Sequence, residues 1–154
     1  MAEQKAVEDQ HRQEGDSWRI PASVNDQWNF LLKTIWDQMI HLVIQFEGAV
    51  DLPTLEQAVR EAMAAEVLTT AKFTPGDSPF FEPAFPGSDT PSWDVITTAH
   101  PDIALSSLLG SSLDPLKGPM GRVRLIRSDN DLLCISFNHT MTDAYGVKSF
   151  GSLL

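Results

Sequence analysis

Apolar and polar positions change their period near the end of the chain. Residues 132–137, Leu-Leu-Cys-Ile-Ser-Phe, form a short apolar run with β-branched and aromatic members, which is typical of a largely buried strand. After Asp143 the apolar residues recur at helical spacing, at Val147, Phe150 and Leu154. The pattern predicts a strand that ends at Asn138-His139 and a helix that begins at Asp143.

The first half of the chain predicts a helix, a strand and a second helix. After a cap at Ser23 or Asn25, apolar residues recur at helical spacing: Val24, Trp28, Leu31, Leu32 and Ile35. We interpret Trp28 and Trp36 as core residues. Residues 39–47 predict a strand with one apolar face: Ile40, Leu42, Ile44 and Phe46. Asp51 is predicted to cap the second helix, whose buried stripe is Leu52, Leu55, Val59 and Met63.

The middle of the chain is rich in proline. Five of the ten prolines fall within residues 75–91, which predicts irregular surface or edge structure and not a central strand. A strand is predicted at 93–97 and a short helix at 103–109. Residues 123–127 and 132–137 flank the turn-forming sequence Ser-Asp-Asn-Asp, which predicts an antiparallel hairpin that leads to His139.

His139 is the candidate for chemistry. Strand alternation places His139 on the same side as Leu133, Ile135 and Phe137, so we expect its ring to point into an apolar space without water. A neutral imidazole there can act as a general base near pH 7. A histidine at the end of a buried strand is also compatible with a core residue whose hydrogen bonds are satisfied, and the residues alone leave both interpretations open.

A resemblance to a known family bears on that choice. His139-Thr-Met-Thr-Asp143-Ala-Tyr-Gly146 resembles the His-x-x-x-Asp motif of the chloramphenicol-acetyltransferase-like acyltransferases, which include peptide-synthetase condensation domains, wax ester synthases and alcohol acyltransferases. Leu-Asp-Pro at 113–115 and the run at 118–127 resemble the strand that precedes the motif in condensation domains. Residues 46–60 resemble the opening strand and helix of those domains.

The sequence departs from the condensation-domain pattern at three places. Asn138 stands where condensation domains have the first histidine of a His-His pair, and Ala144 stands where a glycine follows the aspartate. Residues 66–73 match a family segment but lack its arginine, which leaves open the basic partner of Asp143. The second histidine is the one that the family uses, and it is present as His139.

The resemblance implies both a fold and a domain organisation. The fold is α/β, of the α+β type: one chloramphenicol-acetyltransferase-like lobe with a mixed, largely antiparallel sheet and helices packed on one face. Residues 18–154 correspond to the amino-terminal lobe, and the second lobe is absent. Residues 1–17 are charged and are predicted to form a disordered leader. Because the family's site lies between lobes or subunits, we expect the isolated chain to form a homo-oligomer or to need a second lobe.

The resemblance also implies an activity. The acyl group would pass from a thioester, on coenzyme A or a carrier-protein pantetheine, to an amine or hydroxyl, with no covalently bound cofactor. His139 would act as general base or stabilise the tetrahedral state. Asp143 would cap the last helix, form a structural ion pair, or both, while Asn138 would shape the site. Gly146 would serve close packing or leave room for the thioester arm. The alternative is a non-catalytic or degenerate lobe that acts as a binding module.

The charge and the residue composition limit the kinds of partner and ligand that the chain can bind. The net charge of −10 argues against nucleic acid and against anionic membranes, since both select for Lys and Arg. Cys134 is the single cysteine, so no disulfide can form within the chain. The four histidines are scattered and no cysteine pair accompanies them, which argues against a metal site: His11, His41, His100 and His139. No apolar run is long enough for a membrane span, so we expect a cytoplasmic protein.

Overall fold

The computed structural model describes residues 18–84 and 92–154, and a four-stranded sheet forms its centre. Its strands are β2 (Met39–Gln45), β5 (Trp93–Thr97), β6 (Gly121–Arg127) and β7 (Leu132–Asn138), in the spatial order β2-β7-β6-β5. The pairs β2–β7 and β6–β7 are antiparallel, and β5–β6 is parallel. The predicted mixed, largely antiparallel sheet is confirmed. The predicted leader, with His11, lies outside the described residues.

A second, smaller sheet contains β1 (Ile20–Pro21), β3 (Ala71–Thr74) and β4 (Phe80–Pro83) in the order β1-β4-β3. The prediction for the proline-rich stretch was wrong at β4, which is the middle strand of this sheet. The reason is that Pro83 occupies the last position of β4, whereas Phe80 and Phe81 supply the apolar side chains. Phe81 is buried and its ring lies edge-on to Phe73 of β3. Residues 85–91 lie outside the described part.

The described residues contain four helices: α1 (Val24–Leu32), α2 (Leu52–Ala65), α3 (Pro101–Leu109) and α4 (Ala144–Gly151), with a 3-10 turn at Val67–Thr70. As predicted, Ser23 caps α1 and Asp51 caps α2. Helices α2 and α4 pack on one face of the central sheet, where the main core lies. That core consists of Leu55, Val59, Ala62, Met63, Val123, Leu125, Leu133, Ile135, Phe137, Val147 and Phe150.

Helix α3 lies on the opposite face of the central sheet. Its Leu108 packs there with Ile126, Leu132 and Cys134, which alternate with the residues of the main core along β6 and β7. Strand β7 is therefore covered on both faces and paired on both edges, and all seven of its residues are buried. The sequence analysis predicted helices on one face of the sheet, whereas the structure also has α3 on the opposite face.

The β6–β7 hairpin is fixed by Asp131, which is completely buried at the start of β7. Its carboxylate accepts hydrogen bonds from the backbone N–H of Val50 at 2.9 Å and of Ser128 at 3.2 Å. It also pairs with the guanidinium of Arg127 at 3.4 Å. A buried carboxylate with these partners is compensated for the loss of water, and it ties the hairpin turn to the start of α2.

Candidate functional site

The site lies where β7 ends. Asn138 is the last residue of β7 and pairs with Met39 of β2. The backbone N–H of Asn138 donates to the carbonyl of Met120 at 2.9 Å, and that of His139 donates to the carbonyl of Gln38 at 2.6 Å. The main chain that presents His139 is thus held from both neighbouring sides, which fixes its position relative to the central sheet.

Asn138 is buried, and both ends of its amide have partners. The amide nitrogen donates to the carbonyl of Leu113 at 3.0 Å, and the oxygen accepts the backbone N–H of Thr140 at 2.9 Å. A buried side chain amide with these two partners orders the segment on each side of His139. The geometry gives Asn138 a structural task in the turn after β7.

The ring of His139 lies against helix α1. The side chain is half-buried, and its Nδ1 is 3.3 Å from the amide nitrogen of Asn29. The same nitrogen of Asn29 donates to the carbonyl oxygen of His139 at 3.2 Å. The dry setting expected from strand alternation is replaced by a half-buried setting with a polar partner. The reason is that β7 ends at Asn138, so His139 no longer follows the alternation of the strand.

Gln38 connects α1 with the histidine. Its backbone carbonyl receives the N–H of His139, and its buried side chain lies next to α1. In the amide orientation that satisfies both neighbours, the nitrogen of Gln38 donates to the carbonyl of Asn29 at 3.2 Å, and the oxygen accepts the indole N–H of Trp36. The sequence analysis missed both Gln38 and Asn29. No local pattern marks them, because Asn29 and His139 are 110 residues apart.

Asp143 caps the last helix. Its carboxylate accepts the backbone N–H of Gly146 at 2.9 Å, and the residue is exposed. The ion pairs found in the described part of the chain do not include Asp143. The capping role is therefore present in this lobe, whereas a charged partner for Asp143 is not found among these pairs.

Gly146 packs closely against the segment before α4. A side chain at this position would overlap the hydroxyl of Thr142, so Thr142 would have to shift to make room for it. Gly146 also lines a cavity of about 250 Å³ between the 3-10 turn and α4, together with Leu68, Phe137, Met141 and Phe150. Close packing and room for a ligand are both compatible with this geometry, and His139 is not among the lining residues.

A second cluster of polar side chains lies on the face of the central sheet that α3 covers. Nδ1 of His41 is 2.8 Å from the hydroxyl of Ser136, which is 3.6 Å from the sulfur of Cys134. Burial lowers the pKa of His41, and the positive charge of Arg122 acts in the same direction while Asp37 opposes it. Burial also disfavours the charged form of Cys134, and it therefore raises the pKa of that thiol. Ser136 and Cys134 are almost inaccessible, so neither can reach a substrate.

The described part of the chain offers neither a cluster of metal ligands nor a membrane-spanning helix. Within residues 18–84 and 92–154, no three or more His, Cys, Asp or Glu side chains are grouped so that they could hold a metal ion. In the same part of the chain, no helix combines the length and the apolar character needed to cross a bilayer.

Comparisons with known proteins give the fold. No family model and no curated protein matches the sequence. The starter condensation domain of rhizomide synthetase RzmA matches the structure with a TM-score of 0.70 at 16% identity, over 89% of this chain and 36% of that one. The tallysomycin biosynthesis protein TlmII matches with a TM-score of 0.70 at 19% identity, over 88% and 36% of the two chains. The condensation domain of the Monacolin K polyketide synthase MokA matches with a TM-score of 0.66 at 16% identity, over 80% of this chain and 31% of that one.

The chain therefore has the fold of a condensation-domain lobe, which is of the chloramphenicol-acetyltransferase-like type. This confirms the predicted fold class. The chain spans about a third of the length of the structures that it matches. One RzmA structure is a complex with C8-CoA, and another contains C8-CoA and Leu-SNAC.

Proposed function

We propose that this chain is the histidine-bearing lobe of an acyltransferase of the condensation type. The main support for this proposal is the position of His139. It follows the buried central strand β7, its backbone is held by a hydrogen bond, and its ring is half-buried. The fold shared with condensation domains supports acyl transfer as the class of reaction. The His-x-x-x-Asp motif adds the expected order of residues, with Asp143 as the cap that shapes the turn.

The proposed reaction moves an acyl group between two heteroatoms. An amine or hydroxyl attacks the carbonyl carbon of a thioester, and His139 accepts the proton that the nucleophile loses. The C–S bond then breaks, and the leaving thiolate takes the proton back from the imidazolium. The RzmA complexes favour an acyl-CoA or a similar pantetheine thioester as donor. A second lobe or another subunit would supply the remaining wall of the site.

The test replaces His139 by alanine in the complete protein in which this lobe occurs. We expect His139→Ala to lower turnover by at least about 100-fold, the range for loss of a general base. His100→Ala is the matched control, because His100 is exposed and lies directly before α3. The measurement is thiol release from a panel of acyl thioesters with amine and alcohol acceptors, and circular dichroism reports the fold. Retained turnover in a folded His139→Ala protein would falsify the assignment.

A second candidate function is a non-catalytic binding module, and the surface of α1 favours it. Trp28 and Trp36 were predicted to be core residues, which was wrong, since both are more than half exposed. The large apolar residues exposed on and after α1 are Val24, Trp28, Leu31, Ile35 and Trp36. They follow helical spacing, so α1 presents an apolar face without a cover among the described residues.

This face supports association of the isolated chain. We expect a homo-oligomer, and we expect a variant with Trp28→Ser and Leu31→Ser to dissociate to the monomer. Sedimentation at several micromolar concentrations measures both states. A parent chain that is monomeric at every concentration would contradict the association, and loss of turnover in His139→Ala would favour the enzyme over the module.

A further inference from the structure

The amide of Asn29 makes two contacts with His139. Its nitrogen lies 3.3 Å from Nδ1 of the ring and 3.2 Å from the backbone carbonyl oxygen of the same residue. One side chain of α1 thus contacts both the ring and the backbone of the histidine on which the proposed acyl transfer depends.

The backbone contact determines which way the amide faces. A carbonyl oxygen only accepts hydrogen bonds, so the amide nitrogen of Asn29, and not its oxygen, must face the carbonyl of His139. The same nitrogen then faces Nδ1. Because an amide nitrogen only donates, Nδ1 must be the acceptor in this contact. A neutral imidazole has one N–H, and that proton therefore lies on Nε2.

The position of Asn29 is itself held by nearby contacts. Ser23 and Asp26 form a capping box at the start of α1, with distances of 2.7 and 3.2 Å. The side chain of Gln38 donates to the carbonyl of Asn29, and the carbonyl of Gln38 accepts the N–H of His139. Gln38 therefore fixes Asn29 and His139 relative to each other, which keeps the amide beside the ring.

We propose that Asn29 is a positioning residue that sets the tautomer of His139. In the resting lobe the ring carries its proton on Nε2 and offers a hydrogen-bond donor there. If Nε2 is the ring nitrogen that accepts the proton in the proposed reaction, the amide must first withdraw from Nδ1. The ring proton then moves from Nε2 to Nδ1 through solvent, with no net gain or loss of protons. The importance for catalysis rests on the proposed function, whereas the tautomer itself does not.

The experiment reads the ring nitrogens directly. Long-range ¹⁵N–¹H NMR spectra of this chain distinguish a protonated from an unprotonated ring nitrogen, and the His139 signals are those missing in His139→Gln. We expect the Nε2-protonated tautomer of the neutral ring in the parent chain. In Asn29→Ala the ratio of the two tautomers should fall about five-fold, which corresponds to one hydrogen bond of average strength. Asn25→Ala, on the exposed side of the same helix, should leave the ratio unchanged.

A second variant reverses the polarity of the contact. The carboxylate of Asn29→Asp only accepts, so it should favour a proton on Nδ1. A parent chain with the proton on Nδ1, or a ratio that is the same in Asn29→Ala and in the parent, would overturn the proposal. A proton on Nδ1 in the parent chain overturns the proposal even if the variants fail to fold.

The NMR result is independent of turnover, so the two proposals can fail separately. If the tautomer depends on Asn29 but His139→Ala retains turnover, the proposed function fails and the tautomer assignment stands. If His139→Ala loses turnover but the tautomer of His139 is the same with and without Asn29, only the role of Asn29 is overturned.

Discussion

Strand β7 and helix α1 both contribute to the site around His139, yet the fold holds them very differently. Every one of the seven residues of β7 is buried, whereas none of the nine residues of α1 is. The strand fixes the backbone of the histidine, and the helix carries the amide that touches its ring. The rigid core thus determines where His139 lies, while a weakly packed element determines what its ring contacts.

The difference has a physical origin in the number of partners. Strand β7 has a neighbour on both edges and apolar side chains on both faces. Helix α1 depends on its capping box, on the amide of Gln38 and on Phe30, whose ring lies 4.4 Å from that of Phe73. Elements with few buried apolar contacts open at a lower free energy than the core does.

The largest effect is expected from matched leucine substitutions in the two elements. Leu133 of β7 is 1% exposed and Leu31 of α1 is 62% exposed. Leu133→Ala should lower the free energy of unfolding by about 2–5 kcal/mol, the range for buried leucines. In the monomer, Leu31→Ala should change it by about 0.5 kcal/mol or less. Urea titration measures both, at a protein concentration at which sedimentation shows the monomer. Equal losses under these conditions would mean that α1 is covered within the lobe itself and would remove the contrast.

A smaller effect is expected at the helix caps. Asp143 caps α4, which packs Val147 and Phe150 into the core, so Asp143→Ala should lower the free energy of unfolding by roughly 1 kcal/mol. Asp143→Asn should cost less, because asparagine is also a good cap. Ser23→Ala removes the cap of α1 and should cost least, since α1 buries no residue.

Urea titration of the three cap variants and the parent provides the check. Equal stability of Asp143→Ala, Asp143→Asn and the parent would show that the cap has no structural task, and it would leave a direct role of Asp143 towards substrate. A Ser23→Ala loss as large as that of Asp143→Ala would show that α1 unfolds together with the core.

The elements around the motif were predictable because their signals are local. The apolar run of β7, the turn residues before it and the capping residues Ser23, Asp51 and Asp143 all act within a few positions of the chain. The structure reproduces each of them. The comparison with condensation domains then confirms the fold that the motif and its surroundings suggested.

The remaining features depend on parts of the chain that meet only in three dimensions. Hydrophobic period indicated an apolar stripe on α1, but no sequence pattern shows whether another element covers that stripe, and Trp28 remains exposed. Strand β4 was missed because the prolines around it, and Pro83 at its last position, outweighed Phe80 and Phe81. The contact between Asn29 and His139 gives no sequence signal, since an asparagine inside a helix is usually a surface residue.

The central place of β7 has a consequence for how the chain folds as it is synthesised. The β6–β7 hairpin pairs residues that are close in sequence, whereas His41 of β2 and its partner Ser136 of β7 are 95 residues apart. Strand β2 leaves the ribosome long before β7 exists, so its hydrogen-bonding edge stays without β7 until that strand has been made. Distant pairings close late because loop entropy must be overcome first. The contacts around His139 therefore assemble only after β7 has been made, and a chain interrupted before β7 leaves β2 and β6 without their shared partner.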